Sequence, residues 1–255
     1  MARKRFVRVI VRRPDLRGPF PKRFAARLIG QTALAVKRRA KYLLVSLSSG
    51  ETLVMHLGMS GWFTVTRAGT GAESDPHDHV VFDMSSGHVV TFNDPRRFGF
   101  MDLLSPRALK THPVLSLLGP EPLSREFDGT SLAWACRGKK APLKAALLDQ
   151  RVVAGLGNIW AAEALHIARL SPMQPASAIA TPSGEARDSA VRLAAAVKQV
   201  LTEAIARQTV GSYRSDRFRV YDREGDPCRR RSCTGTIARV TQGGRSTFYC
   251  DTCQR

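Results

Sequence analysis

Four cysteines crowd the last 28 residues of this 255-residue chain, in the order Cys228-x4-Cys233-x16-Cys250-x2-Cys253. No other feature constrains the fold as tightly. Two close thiol pairs separated by a hairpin-sized loop can close a tetrahedral shell around a metal, and four thiolates suit zinc. Free buried thiols are the competing reading. Between the pairs, Thr241-Gln242-Gly243-Gly244-Arg245 sets a Gly-Gly turn between two short strand-like runs. A stretch this short cannot bury a core of its own, so one structural Zn2+ takes that role in a zinc-ribbon hairpin. Arg245 then stands at the hairpin tip, where a side chain can reach a ligand. Clustered thiols in an odd total of five also favour metal over disulfides and a reducing compartment, so a cytoplasmic location is expected.

The charge balance narrows the partner. Forty Lys+Arg stand against 21 Asp+Glu, a formal +19, with a pI near 10.8. Such an excess costs self-repulsion in the folded state and usually marks a polyanionic partner. A solvated basic surface is the alternative. No apolar run is long enough to span a bilayer, and Met1-Ala2-Arg3-Lys4-Arg5 lacks the apolar core of a signal peptide.

Three textures follow one another along the chain. Residues 1–104 read mainly as β structure, with strand-like runs Phe6 to Val11, Tyr42 to Leu47, Thr52 to Leu57, His79 to Met84 and His88 to Phe92. Ser48-Ser49-Gly50 and Ser85-Ser86-Gly87 give hairpin turns between them. Repeated short hairpins predict an antiparallel β-sandwich or barrel. Residues 105–210 carry helical spacing in Pro142 to Gln150, Asn158 to Leu170 and Glu185 to Arg207, with Ala-rich Val191 to Ala206 a core-packing helix. Residues 218–255 return to short strands around the cysteines. The expected class is α+β: sandwich, helical domain, zinc hairpin.

Two constellations suit an anionic ligand. Gly155-Leu156-Gly157-Asn158 is a Gly-punctuated turn into a helix, and exposed helix-start N–H groups with the Asn158 amide make a phosphate cradle. Plain N-capping is the alternative. Lys139, Lys140 and Lys144 lie just before it and could add phosphate contacts, or form a solvated run. In the β region, Arg96-Arg97-Phe98 follow an Asp-Pro turn, so an aromatic and guanidinium groups project from a loop.

At this point the motifs become recognisable. Gln242-Gly243-Gly244-Arg245-Ser246-Thr247-Phe248-Tyr249-Cys250 resembles the C-terminal finger of the bacterial formamidopyrimidine-DNA glycosylases. Leu148-Asp149-Gln150-Arg151-Val152-Val153-Ala154-Gly155-Leu156-Gly157-Asn158-Ile159 resembles the start of their helix-two-turn-helix module. Asn93-Asp94-Pro95-Arg96-Arg97-Phe98-Gly99 and His56-Leu57-Gly58-Met59-Ser60-Gly61 are similar to their β-sandwich motifs. The resemblance covers essentially the whole chain, in order. It implies excision of oxidised purines from duplex DNA followed by lyase cleavage at the abasic site, by a monomer working in the bacterial cytoplasm in association with the nucleoid. It also implies residue roles: Met59, Arg96 and Phe98 fill the space left by an extruded base, with Arg97 beside them. His56 and His77 match DNA-contacting histidines. Lys41 matches a lysine that assists at the lesion during strand cleavage, and Arg245 joins it at the reacting site.

Departures from the pattern matter too. The resemblance places the nucleophile and an acid/base on an N-terminal Pro-Glu. This sequence begins Met1-Ala2-Arg3 and enters the pattern only near Arg5-Phe6-Val7. A truncated or misassigned start is expected; a binding-only relative that recognises damaged DNA without chemistry is the alternative. The first zinc knuckle holds four intervening residues where two are more usual, and the Gln208 to Phe218 link is short, which bears on the preferred base. The chain beginning at Met1 is accordingly expected to bind abasic DNA while forming little borohydride-trapped adduct, because Schiff-base cleavage needs a neutral amine held against C1′. Efficient trapping that is lost on Lys41→Ala would instead make Lys41 the nucleophile.

Overall fold

The computed structural model describes residues 1–70, 75–208 and 218–255. It divides into two compact units, Met1–Ser116 and Leu117–Arg255.

In the first unit the strands are β1 (Lys4–Val11), β2 (Thr32–Arg39), β3 (Tyr42–Leu47), β4 (Thr52–His56), β5 (Trp62–Arg67), β6 (Asp78–Met84), β7 (His88–Asn93) and β8 (Phe100–Leu104). Their spatial order is β5-β7-β6-β1-β2-β3-β4-β8, every pairing antiparallel. Only Lys4↔Ala33 and Arg5↔Thr32 join β1 to β2. The sheet therefore bends there, and its two halves face each other as a sandwich. Phe6, Phe82 and Phe92 from one half and Leu47, Leu53, Met55 and Leu103 from the other form a single buried cluster. Fully burying one such side chain stabilises by about 1.5–3 kcal/mol.

The polar break at Arg8 has a physical cause. A register shift between Phe6 and Arg8 carries Arg8 to the outer face, where its Nε donates to Asp83 at 2.6 Å, while Phe6 and Val9 stay buried. The two serine-glycine turns lie where expected, with Gly50 at φ +83° and Gly87 at φ +74°, a region costly for any residue with a Cβ. Two short helices, α1 (Phe24–Leu28) and α2 (Pro106–Lys110), were not apparent from periodicity, because five residues are too few to show a helical repeat.

The second unit is built on α3 (Gly129–Cys136), α4 (Leu143–Leu148), α5 (Asn158–Ala168) and α6 (Asp188–Gln208), followed by the hairpin β9 (Ile237–Gln242) and β10 (Arg245–Cys250). Helix α3 begins with a capping box in which Asp128 and Ser131 satisfy each other's backbone N–H groups. Ala190, Leu193, Ala194, Val197 and Val200 of α6 are buried against Leu132, Leu147 and Leu165, so the Ala-rich stretch is a packing helix. Helix α3 approaches it closely at Gly129, where a Cβ would meet the backbone of Val191 at 2.8 Å. Among the described residues no helix is long and apolar enough to cross a membrane.

Candidate nucleic-acid interface and zinc centre

Within the first unit, a buried carboxylate organises the projecting loop. Asp94, with no solvent exposure, accepts from Ser60 Oγ at 2.6 Å and from the backbone N–H of Gly99 at 2.7 Å. Its carbonyl accepts from Arg97 N at 3.1 Å and lies 2.9 Å from Nε2 of buried His79. Its own N–H donates to the His77 carbonyl at 3.0 Å. Three loops are thus tied to one residue: 57–61, 75–78 and 94–99.

Two further features sharpen that geometry. Gly58 has φ +69°, and a Cβ there would meet the Phe98 carbonyl carbon at 2.4 Å. The two loops touch backbone to backbone, so the segments that carry Met59 and Phe98 pack directly on each other. Arg97 itself adopts a left-handed φ of 56°, held by its bond to Asp94 and by an ion pair with Asp15 at 3.2 Å. The outcome is a projection of apolar groups. Met59 is 74% exposed and Phe98 is 40% exposed, with the Arg96 guanidinium 4.5 Å over the Phe98 ring. Large apolar side chains held out by rigid backbone are not core residues, so core packing does not account for them.

His56 and Lys41 lie near one another, but in different roles. The His56 ring stacks on Phe100 (5.9 Å, 10° between planes) and packs against Tyr42, and Nδ1 accepts from Gly58 N at 2.9 Å. Burial, then the charges of Lys41 and Arg17, hold its pKa below the usual histidine value. At neutral pH the ring is therefore neutral with its proton on Nε2, a donor suited to a phosphate oxygen. Lys41 is exposed in the turn between β2 and β3, directly after Ala40 in a left-handed conformation. A cavity of about 580 Å³ opens beside this cluster, lined in part by Arg17, Phe20, Tyr42 and Phe100. His77 is exposed, its N–H held by Asp75 at 2.7 Å.

In the second unit, three of the predicted residues gather at the hairpin. Gly243 and Gly244, at φ +55° and +72°, form its turn, and exposed Arg245 begins the return strand. Lys140 is exposed, whereas Lys144 differs from the solvated reading: it is 1% exposed, and Nζ donates to Ser246 O at 3.0 Å and Thr247 Oγ1 at 2.6 Å. Burial first, then Arg245, lowers its pKa to about 8. Asn158 does not cap its helix either. Gly157 is the N-cap, and Asn158 Nδ2 donates to Ser246 O at 3.1 Å, leaving Oδ1 buried without a partner among the described residues. Lys144 and Asn158 therefore grip the hairpin from α4 and α5. A cavity of about 300 Å³ lies here, lined by Lys144, Asp149, Gln242 and Arg245 among others.

The segment leading into the hairpin is anchored by a residue that sequence reasoning missed. Glu163 of α5, 1% exposed, accepts from the backbone N–H groups of Arg219, Val220 and Tyr221 at 2.8, 2.9 and 3.0 Å. A lone glutamate in an Ala-rich helix carries no sequence signal of this. Asp94 and Ser60 were likewise hidden, as ordinary turn residues within recognisable motifs. The Gln208 to Phe218 link falls mostly on residues 209–217, outside the described residues.

The four cysteines come together, with every Sγ within 4.8 Å of the others. Cys228 and Cys253 are 3.9 Å apart, Cys233 and Cys250 3.6 Å. A tetrahedron with bonds of about 2.3 Å needs sulfur separations near 3.8 Å, so the donor set fits zinc. Gly235 lets the first knuckle close: a Cβ there would meet Cys250 Sγ at 2.8 Å. The longer first knuckle does not prevent the geometry. Cys228, Cys233, Cys250 and Cys253 hold one structural zinc ion.

The fold and these donors define a basic protein with two units, one a β-sandwich and the other a helical domain on which a zinc hairpin docks. Comparison with known proteins makes the assignment specific. Residues 1–101 match the formamidopyrimidine-DNA glycosylase N-terminal domain, residues 118–215 the H2TH domain of the same enzymes, and residues 225–255 the zinc finger found in FPG and IleRS. The chain belongs to the formamidopyrimidine-DNA glycosylase family. A formamidopyrimidine-DNA glycosylase of Bradyrhizobium diazoefficiens is 51% identical over 265 residues, covering 96% of this chain and 90% of that protein. One from Rhodopseudomonas palustris strain BisA53 is 52% identical over 272 residues, covering 98% and 93%. Among solved structures, the Thermus thermophilus protein is similar with a TM-score of 0.81 at 37% identity, covering 100% of this chain and 92% of that one. The Lactococcus lactis protein, bound non-covalently to DNA containing an AP site, gives 0.85 at 27% identity, covering 100% and 94%.

The Gly58 contact generates a test. Gly58→Ala meets both a left-handed φ and a backbone clash, so it should cost roughly 1–3 kcal/mol and displace Phe98. A lowered Tm together with a changed accessibility of Phe98 is expected; an unchanged Tm would show that the two loops do not need this contact.

Proposed function

We propose that this chain is a DNA repair glycosylase and AP lyase that excises oxidised purines from duplex DNA and cleaves the strand at the abasic site. The observation that carries the reading is the Met59–Phe98 projection with Arg96 over its ring. An enzyme acting on a base must extrude it from the stack and support the gap with a flat or apolar wedge. Two exposed apolar groups on backbone fixed by Asp94 are built for that, since a mobile wedge would lose ordering entropy on insertion.

The other residues take supporting parts in this reading. Arg245 and Lys140 meet phosphates. Lys144 and Asn158 act mainly by fixing the strand that carries Arg245, and the helix-start N–H groups after Gly157 remain suited to an anion. His56 and His77 add donors, Arg97 stabilises the wedge loop, and Lys41 assists at the reacting sugar. Zinc, when bound, supplies the folding energy of the hairpin and no chemistry. The names of the relatives and the DNA-bound state of the solved Lactococcus protein favour the glycosylase over a binding-only relative. The same reading holds the three-module division at 1–104, 105–210 and 218–255, a monomer, and a cytoplasmic, nucleoid-associated location.

The roles are separable by mutation. Binding should weaken steeply with salt and be tighter for a duplex with an abasic or oxidised site, because a base already unpaired costs less to extrude, by a few kcal/mol at most. Phe98→Ala should shrink the lesion-over-intact preference. Arg245→Ala and Lys140→Ala should weaken binding to both duplexes and lower the salt slope by about one each. Equal losses on both duplexes for all three variants would contradict the wedge assignment.

A further inference from the structure

Helix α5 ends against the zinc centre. His166, 3% exposed, points its Nε2 at Cys228 Sγ from 3.3 Å. The same sulfur lies 3.5 Å from the backbone N–H of Arg230. A metal-bound thiolate has only acceptor capacity, and an imidazole nitrogen presenting its lone pair to it would be repelled. The nitrogen that faces Cys228 therefore carries the proton. The other ring nitrogen, Nδ1, is enclosed and has no partner among the described residues, which leaves nothing there to claim the proton instead.

We propose that His166 is a positioning residue of the zinc centre, donating its Nε2–H to the Cys228 thiolate so that metal binding and docking of the hairpin on α5 become one event. The same helix holds the hairpin through Asn158 at its first turn and the incoming chain through Glu163, so His166 extends the grip to the metal shell. A hydrogen bond to a ligating thiolate withdraws charge from sulfur, lowers its nucleophilicity, and fixes its direction; loss of such an outer partner characteristically costs roughly ten- to a hundredfold in metal affinity. Cys228 is the ligand that enters from the long first knuckle, where Arg229, Arg230, Arg231 and Ser232 separate it from Cys233. Its backbone N–H donates to Gly235 O just before β9, and the His166 donor from α5 adds a second constraint, on the sulfur itself.

The inference rests on the zinc site, so the experiment first measures zinc in the full chain; a content far below one per chain would fail that site and not His166 itself. With zinc loaded, His166→Leu should release the metal to a competing chelator, and react at cysteine with N-ethylmaleimide, roughly tenfold faster or more. In the cobalt-substituted protein its thiolate-to-metal charge-transfer band should move to lower energy, because an unbonded thiolate is the better donor. His166→Gln, which restores an N–H, should recover most of both effects. Nitrogen NMR of the unmodified zinc protein gives a reading that needs no variant: the Nε2–H tautomer is expected. A variant matching the parent in release and in the cobalt band, a Gln variant as impaired as Leu, or the Nδ1–H tautomer would each overturn the proposal.

Discussion

A buried polar group must find its hydrogen-bond partners inside the protein, and Asp94 does so twice over: its carboxyl oxygens accept from Ser60 and Gly99, and its backbone bonds to His77 and Arg97. The candidate recognition surface of the first unit depends on this arrangement. The loop after β4 supplies Met59, the loop after β7 supplies Arg96, Arg97 and Phe98, and the segment before β6 supplies His77. None has secondary structure of its own. Each is fixed because it bonds to Asp94 or, at Gly58, packs on a neighbour that does. Leaving a buried polar group without its partner characteristically costs about 1–3 kcal/mol. Rigid exposure of apolar side chains is otherwise unfavourable, and this bonding is what sustains it.

The second unit solves a different problem by related means. Its hairpin is too small for a core, and apart from zinc it is held by buried polar groups on its helical neighbours: Lys144, Asn158, Glu163 and His166. A small cluster of Ala162, Val220, Ile237 and Phe248 completes the junction. Polar docking of this kind is directional, since each donor must find its acceptor. It therefore fixes the register of the strand that starts at Arg245 more narrowly than apolar contact would. Under the proposed function, the basic surface brings the polyanion close and these two rigid devices decide what is recognised.

Much of this was legible in the sequence, for reasons that can be named. Period-two runs broken by Ser-Ser-Gly gave the hairpins, and the cysteine spacing gave the metal. Exposed candidate residues such as Phe98 and Arg245 stand in motifs whose glycines and prolines mark where the backbone turns. What stayed hidden was burial of charge. Lys144 sits in a basic run and reads as solvated until β10 is seen folding over it. Glu163 looks like a solubilising residue of an Ala-rich helix until the chain near 220 returns to it. The shift between Phe6 and Arg8 reads as a polar interruption because a register change leaves no residue-level mark. These depend on contacts between residues far apart in the chain, and one sequence records no such contact.

The claim at the centre of this account is that Met59, Arg96 and Phe98 enter the stack of a damaged duplex. Fluorescence of 2-aminopurine placed opposite or beside an abasic site reads this directly, since the probe brightens when unstacked. The account predicts that saturating amounts of the zinc-loaded chain raise the fluorescence of the abasic duplex, and that Phe98→Ala at saturation raises it far less. Tight binding of the unmodified chain with no change in fluorescence would contradict it.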